Sequence, residues 1–431
     1  MAMIRDAVAL GIMFCWSASG QSGPPVTLNL QDALERARQY NQQVYSANIA
    51  AQIAHEDTVQ ARAALLPTLS GFSQFAYTQP NGTETGIFVA NNGPRVYTDW
   101  AQVHAEIYNP ARIADWRRNI AAEAVARARA DLAARGLIGT VVQNYYGMLT
   151  AQRKLGTSQQ SLKEAESLLD ITQKQEAGGE VSHYDVVKAQ ILVEQRQRDV
   201  QEAQLAIDKA RIGFAVLLFP NFDQDFRLVD DLDSIQTMPS FPEIQAMANR
   251  NSPDIRAAEA TVTQQTYGLA SARAGFYPSL SADYFYGLQA NQFALHNPEG
   301  QNNLGSAAQV QVNIPVLSWG ALRSKVKQAQ WQLQQARNDL SFTQRTLASE
   351  TNQFYLEAQV ASAQISSLRR SLTLSEDGLR LTLLRYQAGE ATILEVSDAQ
   401  TTVVQARNAY LDGLARYRVA VGALQTLTGV F

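Results

Sequence analysis

Cysteine is almost missing from the 431-residue sequence: Cys15 is the single one, which excludes an internal disulfide framework. An excess of basic residues is missing too. The 36 Lys+Arg against 40 Asp+Glu leave a net charge of -4 and a pI near 5.7, which argues against nucleic acid or anionic lipid as the main partner. Past the N-terminal region no apolar run approaches the ~20 residues of a transmembrane helix. The four histidines, His55, His104, His183 and His296, are scattered without metal-ligand spacing, and no phosphate-cradling glycine loop or nucleophile elbow is present. The expectation is therefore no enzyme, no cofactor and no metal site. Proline is absent between Pro110 and Pro220 and again after Pro315, so two stretches of over a hundred residues are free to be helical.

At the N-terminus, the apolar run Ala7 to Trp16 follows a lone Arg5 and leads into Ser17-Ala18-Ser19-Gly20, which reads as a secretory signal over residues 1–20. The alternative is a frayed extension from a misplaced start. A lipoprotein reading would use Cys15, but Phe14 stands where a small residue is wanted.

From Pro25 onward the sequence repeats itself. Gly179, Glu180, Val186, Ala189 and Gln190 recur 210 residues later as Gly389, Glu390, Val396, Ala399 and Gln400. Asn41 maps onto Asn251. Leu66-Pro67-Thr68-Leu69-Ser70 returns as Tyr277-Pro278-Ser279-Leu280-Ser281, at an offset of 211. Two repeats of one unit follow, 26–230 and 231–431, each in the order helix, two strands, very long helix, tight break, helix.

Residues 31–66 and 242–277 are rich in good helix formers and read as one helix each. After each proline the period changes to two. Leu280, Ala282, Tyr284, Tyr286 and Leu288 alternate with Ser281, Asp283, Phe285, Gly287 and Gln289, and Val310, Val312, Ile314 and Val316 with polar neighbours. Val103, Ala105 and Ile107 give a strand in the first unit. The segment 69–79 reads as a strand mainly through its repeat partner. Polar segments 80–94 and 291–305 read as loops. Residues 111–177 and 321–388 then read as helical rods of roughly 100 Å, with alanines permitting close coiled-coil packing.

Four amphipathic strands cannot close a membrane barrel, because every backbone group must be paired and single-chain barrels start near eight strands. Three chains would supply twelve, with the rods forming a hollow cylinder. At this point the chain resembles the TolC-type outer-membrane efflux proteins over nearly all of its length after the signal. The likeness rests on Ala33-Leu34 followed by Asn41, the Leu-Pro-Thr-Leu and Tyr-Pro-Ser-Leu strand starts, Val316-Leu317-Ser318-Trp319-Gly320-Ala321-Leu322-Arg323, and the two Gly-Glu tips.

The resemblance implies a homotrimer with a 12-stranded barrel in outer-membrane lipid and a long helical barrel crossing the periplasm. It implies a passive conduit closed at its inner end until a periplasmic adaptor (membrane fusion protein) and an inner-membrane pump engage it, in efflux or type I secretion. The tips at Gly178, Gly179, Glu180, Gly389 and Glu390 would form the entrance and meet the adaptor.

Glu395 and Asp398, three apart on a helix, share a face; by resemblance they line the entrance as an acidic ring, against the bland reading of a solvated face. Asp185 and Tyr386, by resemblance, lock the closed entrance. Ala391 stands where an arginine would complete that lock, with Ser182 or His183 as substitutes, and the plain alternative for Tyr386 is coiled-coil packing. Phe75, Tyr77, Tyr97, Trp100, Tyr284, Phe285 and Tyr286 read as an aromatic girdle at the membrane boundary, against burial in a soluble core. The competing function is a soluble periplasmic coiled-coil scaffold or adaptor. An enzyme with helical arms is disfavoured, since no compact segment gathers convergent polar groups.

Overall fold

The computed structural model describes residues 26–77, 95–221, 223–235 and 238–430. The signal segment, Cys15 and the 80–94 loop lie outside these residues. Two short strands, β1 (Val26–Leu28) and β4 (Phe226–Leu228), pair in parallel, which ties the start of the first repeat to the segment just before residue 231, where the second was expected to begin.

The first expected helix is two. α1 (Leu30–Tyr40) starts on a capping box, in which the Asn29 side chain accepts from the Asp32 N–H at 2.8 Å and the Asp32 carboxylate accepts from the Asn29 N–H at 3.1 Å. It stops at Asn41, whose side chain accepts from the N–H groups of Gln43 and Val44 and starts α2 (Gln42–Ala63). An asparagine that bonds forward to the backbone in this way competes with helix continuation. The second repeat breaks at the corresponding place, between α5 (Phe241–Asn251) and α6 (Pro253–Ala274), because Pro253 has no N–H and forces Ser252 out of helical geometry.

The rods are α3 (Pro110–Ala177, 68 residues) and α7 (Ala321–Gln387, 67 residues). The shorter α4 (His183–Leu218) and α8 (Ile393–Thr428) have 36 residues each. The upper part of α3 therefore runs beside α2 and its lower part beside α4, while α7 runs beside α6 and then α8; α3 also packs on α6 and α8. Ala114, Ala121, Ala128 and Ala130 are buried at these contacts, the shallow seam that lets the backbones approach. Glu123, buried among them, is held by His55 at 3.0 Å and by Arg127.

The largest core lies mid-way along the molecule, where Leu28, Leu34, Tyr145, Tyr146, Phe214, Leu218, Leu232 and Leu414 meet. The segment between the repeats is strapped across it. Arg153 holds Asp230 at 2.7 and 2.9 Å and Asp233 at 2.6 Å, Tyr145 donates to the Val229 carbonyl at 2.6 Å, and Tyr146 donates to Asp231 at 3.2 Å. Arg418 pairs with the same Asp231, bonds the Ser234 carbonyl at 3.2 Å and lies 4.9 Å over the Tyr146 ring. A smaller core, around Ala165, Leu168, Ala189, Val396 and Tyr386, sits toward the far end of the rods.

Four strands form a single antiparallel sheet: β2 (Thr68–Tyr77), β3 (Arg95–Tyr108), β5 (Ser279–Ala290) and β6 (Leu304–Asn313), in the order β2-β3-β5-β6. β6 is shorter than its alternation predicts. It ends at Asn313 because Pro315 has no N–H for the ladder, and Ile314 and Val316 fall outside. The helices all join the sheet at one end, so α2, α3, α6 and α7 hang from it side by side. Among the described residues no helix is long and apolar enough to cross a membrane.

Candidate functional site

Two places carry the candidate residues: the helix-turn-helix tips at one end and the sheet at the other. Both tips are built alike. α3 ends with the Gly179 N–H on the Glu176 carbonyl at 2.9 Å and the Glu180 N–H on the Gln175 carbonyl at 2.9 Å; α7 ends with Gly389 on Tyr386 at 3.0 Å and Glu390 on Arg385 at 2.8 Å. This is the Schellman arrangement, which needs a left-handed residue at its turn. Gly179 and Gly389 supply it, each at φ 75°. Gly178 has φ -78° and matches Ala388 in the other repeat, so its glycine is not required by the turn. Gly389→Ala is expected to destabilise its tip by about 1 kcal/mol, speeding hydrogen exchange at the Glu390 amide about fivefold, whereas Gly178→Ala leaves exchange at Glu180 unchanged.

After each turn a capping box restarts the chain as helix. Asp185 accepts from the Ser182 N–H at 3.1 Å and the Ser182 hydroxyl at 2.9 Å; Glu395 accepts from the Thr392 N–H and hydroxyl, both at 3.2 Å. Arg385 reaches the Glu395 carboxylate at 3.5 Å and the Glu390 carbonyl at 3.0 Å. Two of the expected site carboxylates thus spend their oxygens on local helix starts. Asp398 stays exposed, one turn further along. His183 joins Glu176 at 2.8 Å.

Tyr386 and Asp185 do not meet as partners within the chain. The Tyr386 ring is 3% exposed in the tip-side core, and its hydroxyl shares a hydrogen bond of 3.0 Å with the Thr172 hydroxyl. Burial raises its pKa, the Thr172 bond opposes, and the nearby Asp185 charge adds to the rise, so the phenol stays neutral at physiological pH. Ala391 packs against the same core. Arg385, Thr172 and Thr392 were not singled out by sequence reasoning. The N-cap position of Thr392, three residues before Glu395, was the legible signal for one of them.

At the sheet, pairing fixes which residues share a face. Phe75 opposes Tyr97, Ala101 opposes Tyr286, Val103 opposes Tyr284, and Tyr284 and Ala282 oppose Ala308 and Val310. This face is mainly apolar, with Ser73, Arg95, Asp99 and Ser306 on it toward the loop end. The other carries Ser70, Gln74, Thr98, Gln102, His104, Glu106, Asp283, Gln309 and Gln311, with His104 bonded to Asp283 at 2.7 Å and Gln102 to the same carboxylate at 2.9 Å. The seven aromatics are thereby divided. Phe75, Tyr77, Tyr97, Tyr284 and Tyr286 lie on the apolar face, while Trp100 and Phe285 lie on the polar one, where Trp100 stacks on Phe72 at 5.6 Å and meets Phe285 edge-on at 5.6 Å. Two edges, β2 and β6, are left unpaired among the described residues.

A sequence profile of the outer membrane efflux protein family matches residues 33–218 and again residues 245–430, the two repeats in turn. The chain belongs to that family. It is 25% identical over 417 residues to the proteases secretion protein PrtF of Dickeya chrysanthemi, covering 94% of this chain and 88% of that protein. To nodulation protein T of Rhizobium leguminosarum bv. trifolii it is 25% identical over 289 residues, covering 64% of this chain and 60% of that protein. The fold matches the Campylobacter jejuni CmeC outer membrane channel with a TM-score of 0.81 at 17% identity, over 100% of this chain and 94% of that one; at such identity the likeness is one of fold. As an outer membrane efflux protein the chain is a transport protein of the outer membrane with its helical part in the periplasm, and these likenesses do not support a soluble scaffold.

Proposed function

We propose that three copies of this outer membrane efflux protein close into a passive conduit, a 12-stranded barrel continued by a helical cylinder, gated at its periplasmic tips. The observation that carries this reading is the four-stranded sheet with two free edges on rods of 68 and 67 residues. A sheet in lipid admits no unpaired edge, so β6 of one copy must meet β2 of the next. The apolar face turns to lipid, with Phe75, Tyr77, Tyr97, Tyr284 and Tyr286 as its girdle, and the polar face with Trp100 and Phe285 lines the lumen. A periplasmic adaptor meets the tips; the groove of about 530 Å³ between α7 and α8, where Ser371, Ser375, Gly378 and Ala399 lie beside Arg370, Leu374 and Leu379, offers a helix a seat at its small residues. Energy comes from an inner-membrane pump.

The mass of the detergent-extracted particle, corrected for bound detergent, tests the assembly: three copies are expected, and a monomer or dimer overturns it. The same preparation tests the acidic ring. Because Glu395 is held by Thr392 and Arg385, Asp398 is the free carboxylate of the pair. Asp398→Asn is expected to lower the cation-over-anion permeability ratio in planar bilayers about twofold or more, while Glu395→Gln acts through the helix start. An unchanged reversal potential in Asp398→Asn removes the ring.

A further inference from the structure

We infer that the junction between sheet and rods is a binding collar for anionic phospholipid of the inner leaflet. The inference rests on the membrane orientation proposed above, and it concerns Trp319 first. Trp319 is a non-glycine residue at φ 48°, followed by Gly320 at φ 85°, and it is 90% exposed. A strained backbone that holds a bare indole in solvent gains nothing within the chain that would maintain it. Its neighbours Val316 and Leu317 are 90% and 69% exposed. At the matching position of the first repeat Tyr108 stands exposed just before its rod, and Tyr277 stands exposed where α6 turns into β5. Each is an aromatic with an apolar body and a polar tip, the type favoured where hydrocarbon meets headgroups. The group also continues the apolar sheet face downward: Tyr108 opposes Leu280, which opposes Val312.

Charge identifies the occupant. Within residues 60–67, 106–119, 270–278 and 314–328 there are eight Lys/Arg, all exposed, and two Asp/Glu, in a chain whose net charge is -4. The two acids are already engaged, Glu106 by Arg112 at 3.3 Å and Asp115 by Arg118 at 3.7 Å. Arg323, Lys325 and Lys327 have no acidic partner among the described residues. On α2, at the open edge of the sheet, Arg62 adds a further exposed cation at the junction, while the exposed acids Glu56 and Asp57 lie more than one turn deeper along the helix. Phosphate groups beside an interfacial tryptophan would supply both the missing anions and the missing cover.

The test uses the full chain reconstituted in phosphatidylcholine vesicles in which either phosphatidylglycerol or phosphatidylcholine carries bromine on its acyl chains, at equal mole fraction. Brominated phosphatidylglycerol is expected to quench tryptophan emission about twofold more than brominated phosphatidylcholine. Trp319→Phe removes most of that difference, and Arg323→Gln/Lys325→Gln/Lys327→Gln abolishes it while the indole stays quenchable. If Trp319→Phe leaves quenching unchanged, the indole is covered by a neighbouring copy and the collar is wrong. Equal quenching by the two lipids likewise overturns it. Channel conductance recorded from the same vesicles separates these outcomes from failure of the conduit itself, since a conducting particle with unquenched Trp319 sinks the collar alone.

Discussion

Gly287→Val should abolish the assembled protein in the outer membrane. A Cβ at Gly287 would lie 2.2 Å from the Asp99 carbonyl oxygen and 2.4 Å from the Trp100 Cα, distances at which one of the two strands must move. Gly287 opposes Trp100 across the β3–β5 pair, the only pairing between the strands of the two repeats in this sheet. Separating them splits the sheet into two hairpins, each too small to hold a place in lipid. The obstruction is backbone, so adding Trp100→Ala should not restore assembly. Gly71→Ala, whose new methyl meets nothing within 4 Å in the chain, serves as the control. Heat-resistant oligomer on a gel of outer-membrane fractions reads the result; wild-type amounts of oligomer from Gly287→Val would show that the sheet tolerates a shift here.

Arg418→Met is expected to cost about 3 kcal/mol of stability, because removing one partner of a buried ion pair strands the other. Arg418 is buried in α8 and serves three groups of other segments: Asp231, the Ser234 carbonyl and the Tyr146 ring. Asp231 keeps about a third of its surface in water, which places the loss at the lower end of the usual range. The pairing should show in a double-mutant cycle by denaturant unfolding. Asp231→Asn added to Arg418→Met should recover part of the loss, since no carboxylate is then left unpaired. Strict additivity of the two substitutions would mean that Arg418 acts by packing alone. The consequence reaches beyond stability, since this pair fastens the inter-repeat segment across the core to which α3, α4, α7 and α8 all contribute.

How much was legible depended on how far apart the interacting residues lie. Rods, strands, tips and duplication each follow from patterns within a few residues. The starts of the rods were legible to within a residue or two, as Pro110 illustrates, whereas β3 begins at Arg95, well before the alternation around Val103. The break at Asn41 was missed because good helix formers surround it, and one side chain with two forward hydrogen bonds outweighs the propensity of its neighbours; the break at Ser252 had a local signal in Pro253, which reading 242–277 as one helix passed over. The girdle was read from aromatic content; the alternation itself already set Phe285 apart from Tyr284 and Tyr286, and strand pairing made that division binding.

Sequence by itself determined that this chain is a duplicated unit of strands and long rods whose sheet is too small to close, because periodicity, proline spacing and glycine turns act locally. The tertiary structure alone decided that Tyr386 bonds Thr172, 214 residues away, that Arg385 reaches Glu395 across the tip, and that Gly287 must pass under Trp100. Those choices are made by shape and hydrogen-bond satisfaction between segments that meet only after folding, and no local pattern records which of several polar groups will find the others.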